Sequence, residues 1–404
     1  FRLSLPPTEE YMVVISHNDD IFNESSKNQY GVLLTSLLAQ LDLKDLETEI
    51  EKQYYAKNVS KKFHYRIELL LKLVVFMRYH KLSYRTVISR LTEDDIKNLL
   101  TKKELEQMKK GTFSLPSPST LHYFITYRLK EEGVNRVMNY LGSKILHHVN
   151  LNQKDPNLNQ KDPDTNYGII DSTPLEASRY SKYATFNKHY NMHMCKAHII
   201  STSGYPLYMI FSEGTESDEK YGLKLIENLK SMKPTFDAIL CDGGYDSFQM
   251  HATIFGELGS KPVIEIRDNA VIHTEASEAR IHKVVNSHWR NGGDTSATLQ
   301  EQLKFLYNFD ASSCKNPEIY KEIIGKYLRN QNLQNSQDTK TKLKKRGRCE
   351  EMHSQLKAVL KFNVKGYRKE HRSLYTKLDV ITAQCMYLTY LQNNSTKKAL
   401  AGYL

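Results

Sequence analysis

A chain of 404 residues with 40% hydrophobic content is too long for one small domain and too apolar for wholesale disorder, so two or three folded domains are expected. Its net charge of +11, with a pI near 9.1, favours a polyanionic partner. Five cysteines (Cys195, Cys241, Cys314, Cys349 and Cys385) form no C-x-x-C pair, which argues against a zinc ribbon or a disulfide framework and for a reducing compartment.

The excess charge is uneven. Residues 1–150 hold 22 Lys and Arg against 18 Asp and Glu, whereas residues 341–372 alone hold 11 against three. That second stretch reads either as a cradle for a phosphodiester or as a solvated basic helix. The most apolar run, residues 69–77, is broken by Lys72 and falls far short of the roughly 20 residues of a membrane span. No signal peptide is read, and a start at Phe1 instead of Met fits a trimmed beginning.

Residues 30–148 read as helical. The stretch 66–79 is apolar almost all round, the pattern of a buried helix, and 83–91 is shorter and amphipathic. Leu115-Pro116-Ser117-Pro118-Ser119-Thr120 punctuates the chain and caps a helix over 121–129, which carries His122, Tyr123, Tyr127 and Arg128. Such side chains reach bases and phosphates, so an all-α DNA-binding region of helix-turn-helix type is one reading of residues 1–150; a bundle that braces the rest is the other. A tandem repeat follows at 151–164, with two Asp-Pro steps and no apolar periodicity. It marks a linker over 151–166 and a domain boundary.

Beyond the linker the period changes to that of strands. Strands are expected at 167–171, 193–200, 205–211, 236–241 and 262–266, the second and third joined by a hairpin turn. Helices are expected at 218–229, 248–258, 342–360 and 378–391. Residues 268–340 are polar, mostly helical in character and contain the lone Trp289, which marks an insertion. The order of elements is that of a ribonuclease-H-like α/β domain over 167–395, with a mixed five-stranded sheet flanked by helices.

Three segments bring carboxylates into that frame. Ile169-Ile170-Asp171 and Ala238-Ile239-Leu240-Cys241-Asp242 are apolar runs ending on an aspartate, so each delivers a carboxylate at the end of a buried strand. Those strands are neighbours in the expected topology. Glu350 lies in the basic helix, with Arg346 four residues before it and Lys357 seven after, all on one face. Glu351 lacks partners at those offsets and is the fallback. Asp171, Asp242 and Glu350 are thus the expected catalytic and metal-binding set: three hard oxygen ligands suit two Mg²⁺ ions, with Mn²⁺ as a substitute, in an in-line displacement at phosphorus. Arg346 and Lys357 are expected to hold phosphates, and Arg348 adds charge to the same helix.

These segments resemble the DDE transposases of bacterial and archaeal insertion sequences. The resemblance rests on Asp171-Ser172-Thr173, on Asp242-Gly243-Gly244-Tyr245-Asp246-Ser247, and on Arg346-x3-Glu350-x6-Lys357, which is similar to a Y-x2-R-x3-E-x6-K signature. The tyrosine position is Leu343 here, which removes one phosphate contact and leaves the carboxylates intact. Lys196-Ala197-His198 and Ser203-Gly204-Tyr205-Pro206-Leu207 are similar to the family's second and third strands. The resemblance implies an enzyme that binds double-stranded terminal inverted repeats, cuts at element ends, joins the 3′-hydroxyls to target DNA, and works as a homodimer in a prokaryotic cytoplasm at the nucleoid. A nuclease without strand transfer and a domesticated DNA-binding protein are the alternatives.

Other signals are weaker. Arg179, Tyr180, Lys182, Tyr183 and Lys188 interleave cations with aromatic rings, which suits DNA contact as well as it suits a solvated hairpin. His189, His193 and His198 are scattered by strand alternation and are not read as a metal site. Cys241 and Cys349 adjoin two of the carboxylates and read as small core residues. Trp289 either packs the insertion or wedges beside a flipped base.

Overall fold

A computed structural model describes residues 38–41, 65–154, 166–181, 184–266, 317–360, 362 and 369–392. Residues 155–165 of the expected linker, Lys182, Tyr183, Trp289 and most of the expected insertion lie outside the described residues. Two compact units part at His122/Tyr123.

In the first unit the apolar helix expected at 66–79 is α1 (Ile67–Tyr79), buried from Leu69 to Met77 except at Lys72. Two short helices, α2 (Tyr84–Val87) and α3 (Glu93–Leu99), precede α4 (Lys102–Lys109). The latter two each begin in a capping box: Thr92 and Asp95 bond reciprocally, as do Thr101 and Glu104. Glu104 also takes both prongs of Arg66 at 2.9 Å, which ties the start of α4 to the start of α1.

The helix expected at 121–129 begins earlier, as α5 (Pro118–Tyr123), because Pro118 suits the first helical position and Ser117 Oγ accepts from the Thr120 amide. It runs into a π-helical turn, Phe124–Leu129, and Lys130 at φ 54° breaks the path. Then comes α6 (Lys130–Lys154). This helix was expected to belong with the N-terminal region, yet it sits in the second unit. Gly142 lies so close to β4 (Tyr205–Glu213) that a Cβ there would be 2.2 Å from the Leu207 carbonyl oxygen. Only the missing side chain permits that approach.

The sheet of the second unit is built from β1 (Tyr167–Glu176), β2 (Thr185–Asn187), β3 (Met192–Thr202), β4, β5 (Ala238–Cys241) and β6 (Lys261–Ile264). β1 pairs antiparallel with β3, and β3 with β4; β1 pairs parallel with β5, and β5 with β6. Among the described residues the sheet therefore has six strands, against the five expected. The additional strand, β2, is three residues long and pairs with the first residues of β3. It is too short and polar to show an alternation. The β3–β4 hairpin turns at Ser203 and Gly204, both with positive φ as a type I′ turn requires.

Helices α7 (Asp218–Ser231) and α8 (Phe248–Leu258) connect the parallel strands. From the expected insertion, α9 (Pro317–Gln334) packs on α8 with Gly325 against the Phe248 backbone, where a Cβ would meet the carbonyl oxygen at 2.0 Å. Next, α10 (Ser336–Leu343), a 3-10 turn (Lys344–Arg346) and α11 (Gly347–Leu360) replace the single expected basic helix.

Last, α12 (Lys369–Gln392) is buried almost all round from Arg372 to Tyr390. Gln384 donates to the carbonyls of Met138, Pro206 and Leu207, which pins α12 to both α6 and β4. Lys377, only 3% exposed, is held by Glu131 and Asn135 of α6. Among the described residues no helix is long and apolar enough to cross a membrane.

Candidate active site

Register explains how two carboxylates meet. β5 runs beside β1 only from Tyr167 to Ile170, with Ile170 opposite Cys241. Asp171 and Asp242 are the next residue on each chain, so both lie where β5 stops. The expectation that Asp171 ends its strand is corrected: β1 continues to Glu176, paired with β3 alone. Among the described residues the β5 side of β1 has no strand partner past Ile170, and both carboxylates stand at that gap. Asp242 leaves β5 and caps the 3-10 turn Gly243–Tyr245, accepting from the Gly244 amide at 2.9 Å.

Asp171 is 6% exposed. Burial pushes its carboxyl up to about 7, against the pull of Arg346 and with repulsion from Asp242 and Glu350 added. Burial also raises Asp242; Arg346 and the Gly244 amide oppose the rise, and Asp218 and Glu265 reinforce it. Asp218, at the start of α7, is a fourth acid that the sequence reading passed over. A Cβ on Gly244 would lie 2.8 Å from Asp218 Oδ2 and 3.0 Å from Asp242 Oδ1, so the two carboxylates flank that glycine. Lys196 of β3 pairs with Asp218 at 2.8 Å. The buried His198 ring stacks on Tyr221, with Nε2 2.8 Å from Ser212 Oγ and Nδ1 3.2 Å from Tyr245 Oη.

Glu350 stands in the first turn of α11 with its side chain 67% exposed and its carboxylate 4.0 Å from Arg346. Arg346 lies in the preceding 3-10 turn, donates to Glu265 at 3.0 Å, and has its positive charge reinforced by Asp171, Asp242 and Glu265. It is a counter-ion inside the acid group. Lys357 is half-buried and its ammonium is lowered by desolvation. Arg348 instead lines a small cavity beside the β3–β4 turn with Glu351, Gln355 and Tyr387, and the Arg348 carbonyl faces Gly204.

Two further side chains of α11 reach Asp171. His353 Nδ1 is 3.7 Å from Asp171 Oδ2, and its Nε2 is 3.7 Å from Cys349 Sγ. Burial pushes the His353 imidazole down to about 3, so it is neutral. Donor atoms of Asp171, Cys349 and His353 all lie within 4.8 Å of one another, and all three residues are buried. The i,i+4 spacing of Cys349 and His353 was the available signal for this group.

The remaining expected DNA contacts lie elsewhere. Arg179 is exposed and covers the Tyr180 ring, its guanidinium also donating to the phenol oxygen at 2.6 Å. Lys188 is exposed beside Phe186 and Tyr190, which are 49% and 48% exposed. Arg128 packs over Tyr123, whose neighbour Tyr127 is also exposed.

The end of β5 thus brings together one buried and one half-buried aspartate, with a helix that bears both acidic and basic residues beside them. The model of the family described as Transposase DDE domain matches residues 162–378, more than half of the chain, and the chain belongs to that family. The match takes in Asp171, Asp242 and Glu350. No curated protein and no solved structure matches the chain.

Proposed function

We propose that this transposase-family protein cuts double-stranded DNA at the ends of a mobile element and joins the freed 3′-hydroxyls to target DNA. The observation that carries the reading is the pairing of Asp171 and Asp242 at the end of β5, inside the span of the family match. The strand order β4-β3-β1-β5-β6, antiparallel on one side of β1 and parallel on the other, supports a ribonuclease-H-like architecture.

Family membership implies a divalent metal, and the residues fit one. A buried and a half-buried carboxylate that repel each other, both raised above the ordinary carboxyl range, would be stabilised by a cation they share. Asp171 and Asp242 would hold Mg²⁺, with Glu350 completing a set for two ions and Mn²⁺ as a substitute. When bound, such ions activate the attacking hydroxyl and stabilise the leaving oxygen. Glu350, exposed and in reach of Arg346, is free to close onto a substrate-loaded site, and its coupling to Asp171 favours it over Glu351. Arg346 offsets the acid group's charge and orients a non-bridging phosphate oxygen, while Lys357 of α11 supplies a second cation.

Double-stranded DNA lies in this reading along the basic segment. Arg128, with Tyr123 and Tyr127, and the first unit recognise the element end; Arg179, Lys182 and Lys188 contact a DNA backbone, and Arg348 adds a peripheral charge. Paired ends call for a homodimer.

The test is strand cleavage of DNA carrying the element's terminal repeats, with Mg²⁺ or Mn²⁺, for wild type and for Asp171→Ala, Asp242→Ala and Glu350→Ala. Metal-dependent nicking and joined products, lost in all three variants, are expected. Nicking without joined products reduces the reading to a nuclease. Binding without cutting under either metal overturns the catalytic assignment.

A further inference from the structure

We propose that Asp171, Cys349 and His353 form a second site, for a thiophilic divalent cation of the zinc class, which shares only Asp171 with the oxygen-donor set. Donor atoms from β1 and α11 already converge there: Cys349 Sγ is 3.7 Å from His353 Nε2, and all three lie within 4.8 Å of one another. A sulfur, an imidazole nitrogen and one carboxylate oxygen are a borderline-soft set, which suits zinc or cobalt far better than magnesium. Magnesium retains water and prefers oxygen, so the carboxylates Asp242 and Glu350 keep it on their own side.

Charge points the same way. On ligation the Cys349 thiol releases its proton to solvent and becomes a thiolate, the Asp171 carboxylate contributes a second negative charge, and the imidazole is neutral. A dication with these three ligands has no net charge, which removes the penalty of burying an ion. Ser201 Oγ lies 3.6 Å from Cys349 Sγ as a sulfur partner, and the nearby Arg346 is bonded to Glu265 and shared with Asp171 and Asp242. A tetrahedral ion keeps one position for solvent.

The consequence is regulatory. An ion seated here draws Asp171 away from Asp242, so zinc-class metals antagonise the magnesium-dependent reaction. That consequence rests on the catalytic reading; the binding itself does not.

The experiment titrates Co²⁺ and Zn²⁺ into the full chain without DNA. Expected is one Co²⁺ giving an intense near-ultraviolet thiolate-to-metal band, displaced by Zn²⁺ and untouched by millimolar Mg²⁺. Cys349→Ser abolishes the band, and His353→Gln keeps it but weakens affinity at least about tenfold. Cys241→Ala, which alters the other thiol nearest the carboxylates, keeps both band and affinity. Thermal melts of each variant separate a lost ligand from a lost fold; if Cys349→Ser does not fold, the affinity loss in His353→Gln carries the test. No band, or a band that survives Cys349→Ser, overturns the site. Wild type that shows the band but never cuts DNA removes the catalytic reading and leaves the site standing; wild type that cuts DNA and shows no band does the reverse.

Discussion

Asp242 and Asp246 sit four residues apart on one loop, and the protein treats them in opposite ways. Asp246 is buried with Arg329 of α9 bonded to both its oxygens at 2.9–3.1 Å and with His251 at 3.4 Å. Burial alone would raise its carboxyl, but His251 and Arg329 outweigh it and hold the group below its ordinary range. Asp171 is buried and Asp242 half-buried among other acids, with Arg346 as their shared counter-charge, and both carboxyls are raised. A buried carboxylate with dedicated partners fastens elements together. A pair left in mutual repulsion is stabilised by a cation, and acids perturbed in this way gather at functional sites.

The sharpest way to break this contrast is to remove the acids on each side. Asp171→Ala or Asp242→Ala should reduce DNA cleavage to background while the apo protein melts at the wild-type temperature or above it, as read by cleavage and thermal denaturation. Arg329→Ala should do the opposite. It leaves Asp246 buried without its bidentate partner and should cost about 3–5 kcal/mol in denaturant unfolding. If Arg329→Ala folds as stably as wild type, the fastening role fails.

The pH dependence sharpens the same point. The folded state holds the Asp171 proton up to about 7, against an ordinary value of 3.8. The unfolded state loses it first, so this group's stabilising contribution is complete below about pH 4 and is lost as pH rises toward 7. Wild-type melting temperature should therefore fall between pH 5 and 7 more than that of Asp171→Asn, and Mg²⁺ at pH 7 should recover the difference.

The mildest structural effects belong to exposed groups. Glu350→Gln, at a side chain that is 67% exposed, should change stability by less than about 0.5 kcal/mol and still abolish cleavage. Arg179→Ala should leave cleavage chemistry and folding alone, weaken DNA binding, and lower the salt slope of binding by about 1. An unchanged slope removes Arg179 from the DNA contacts.

Much of the second unit was legible because its strands are short, apolar and bounded by turn residues. Residues 193–200, 205–211 and 236–241 all fall within or around observed strands, and Ser203-Gly204 announced the hairpin. What escaped depended on partners remote in sequence. Strand β2 forms only because β3 begins at Met192. Helix α6 follows β4 and α12 instead of the residues before it, since its small Gly142 fits against a strand that no local pattern reveals. The basic stretch 342–360 carries one continuous helical signal, yet Lys344–Arg346 tighten into a 3-10 turn, from which Arg346 bonds Glu265 and stays 4.0 Å from Glu350. His353 shared a face with Glu350 by spacing, but only its packing on Asp171 singles it out.

By itself the sequence determined the family, the identity of the acids and the basic character of the helix beside them, because each is carried by local residue order. Tertiary structure alone decided which charges are satisfied. Asp171, Asp242 and Asp246 are the same residue type, and the local sequence offers only His251, five residues after Asp246, to tell them apart. The difference comes from α9 and the Arg346 turn, more than 80 residues downstream of Asp242, because electrostatic energy in a low-dielectric interior depends on distance in space and not along the chain.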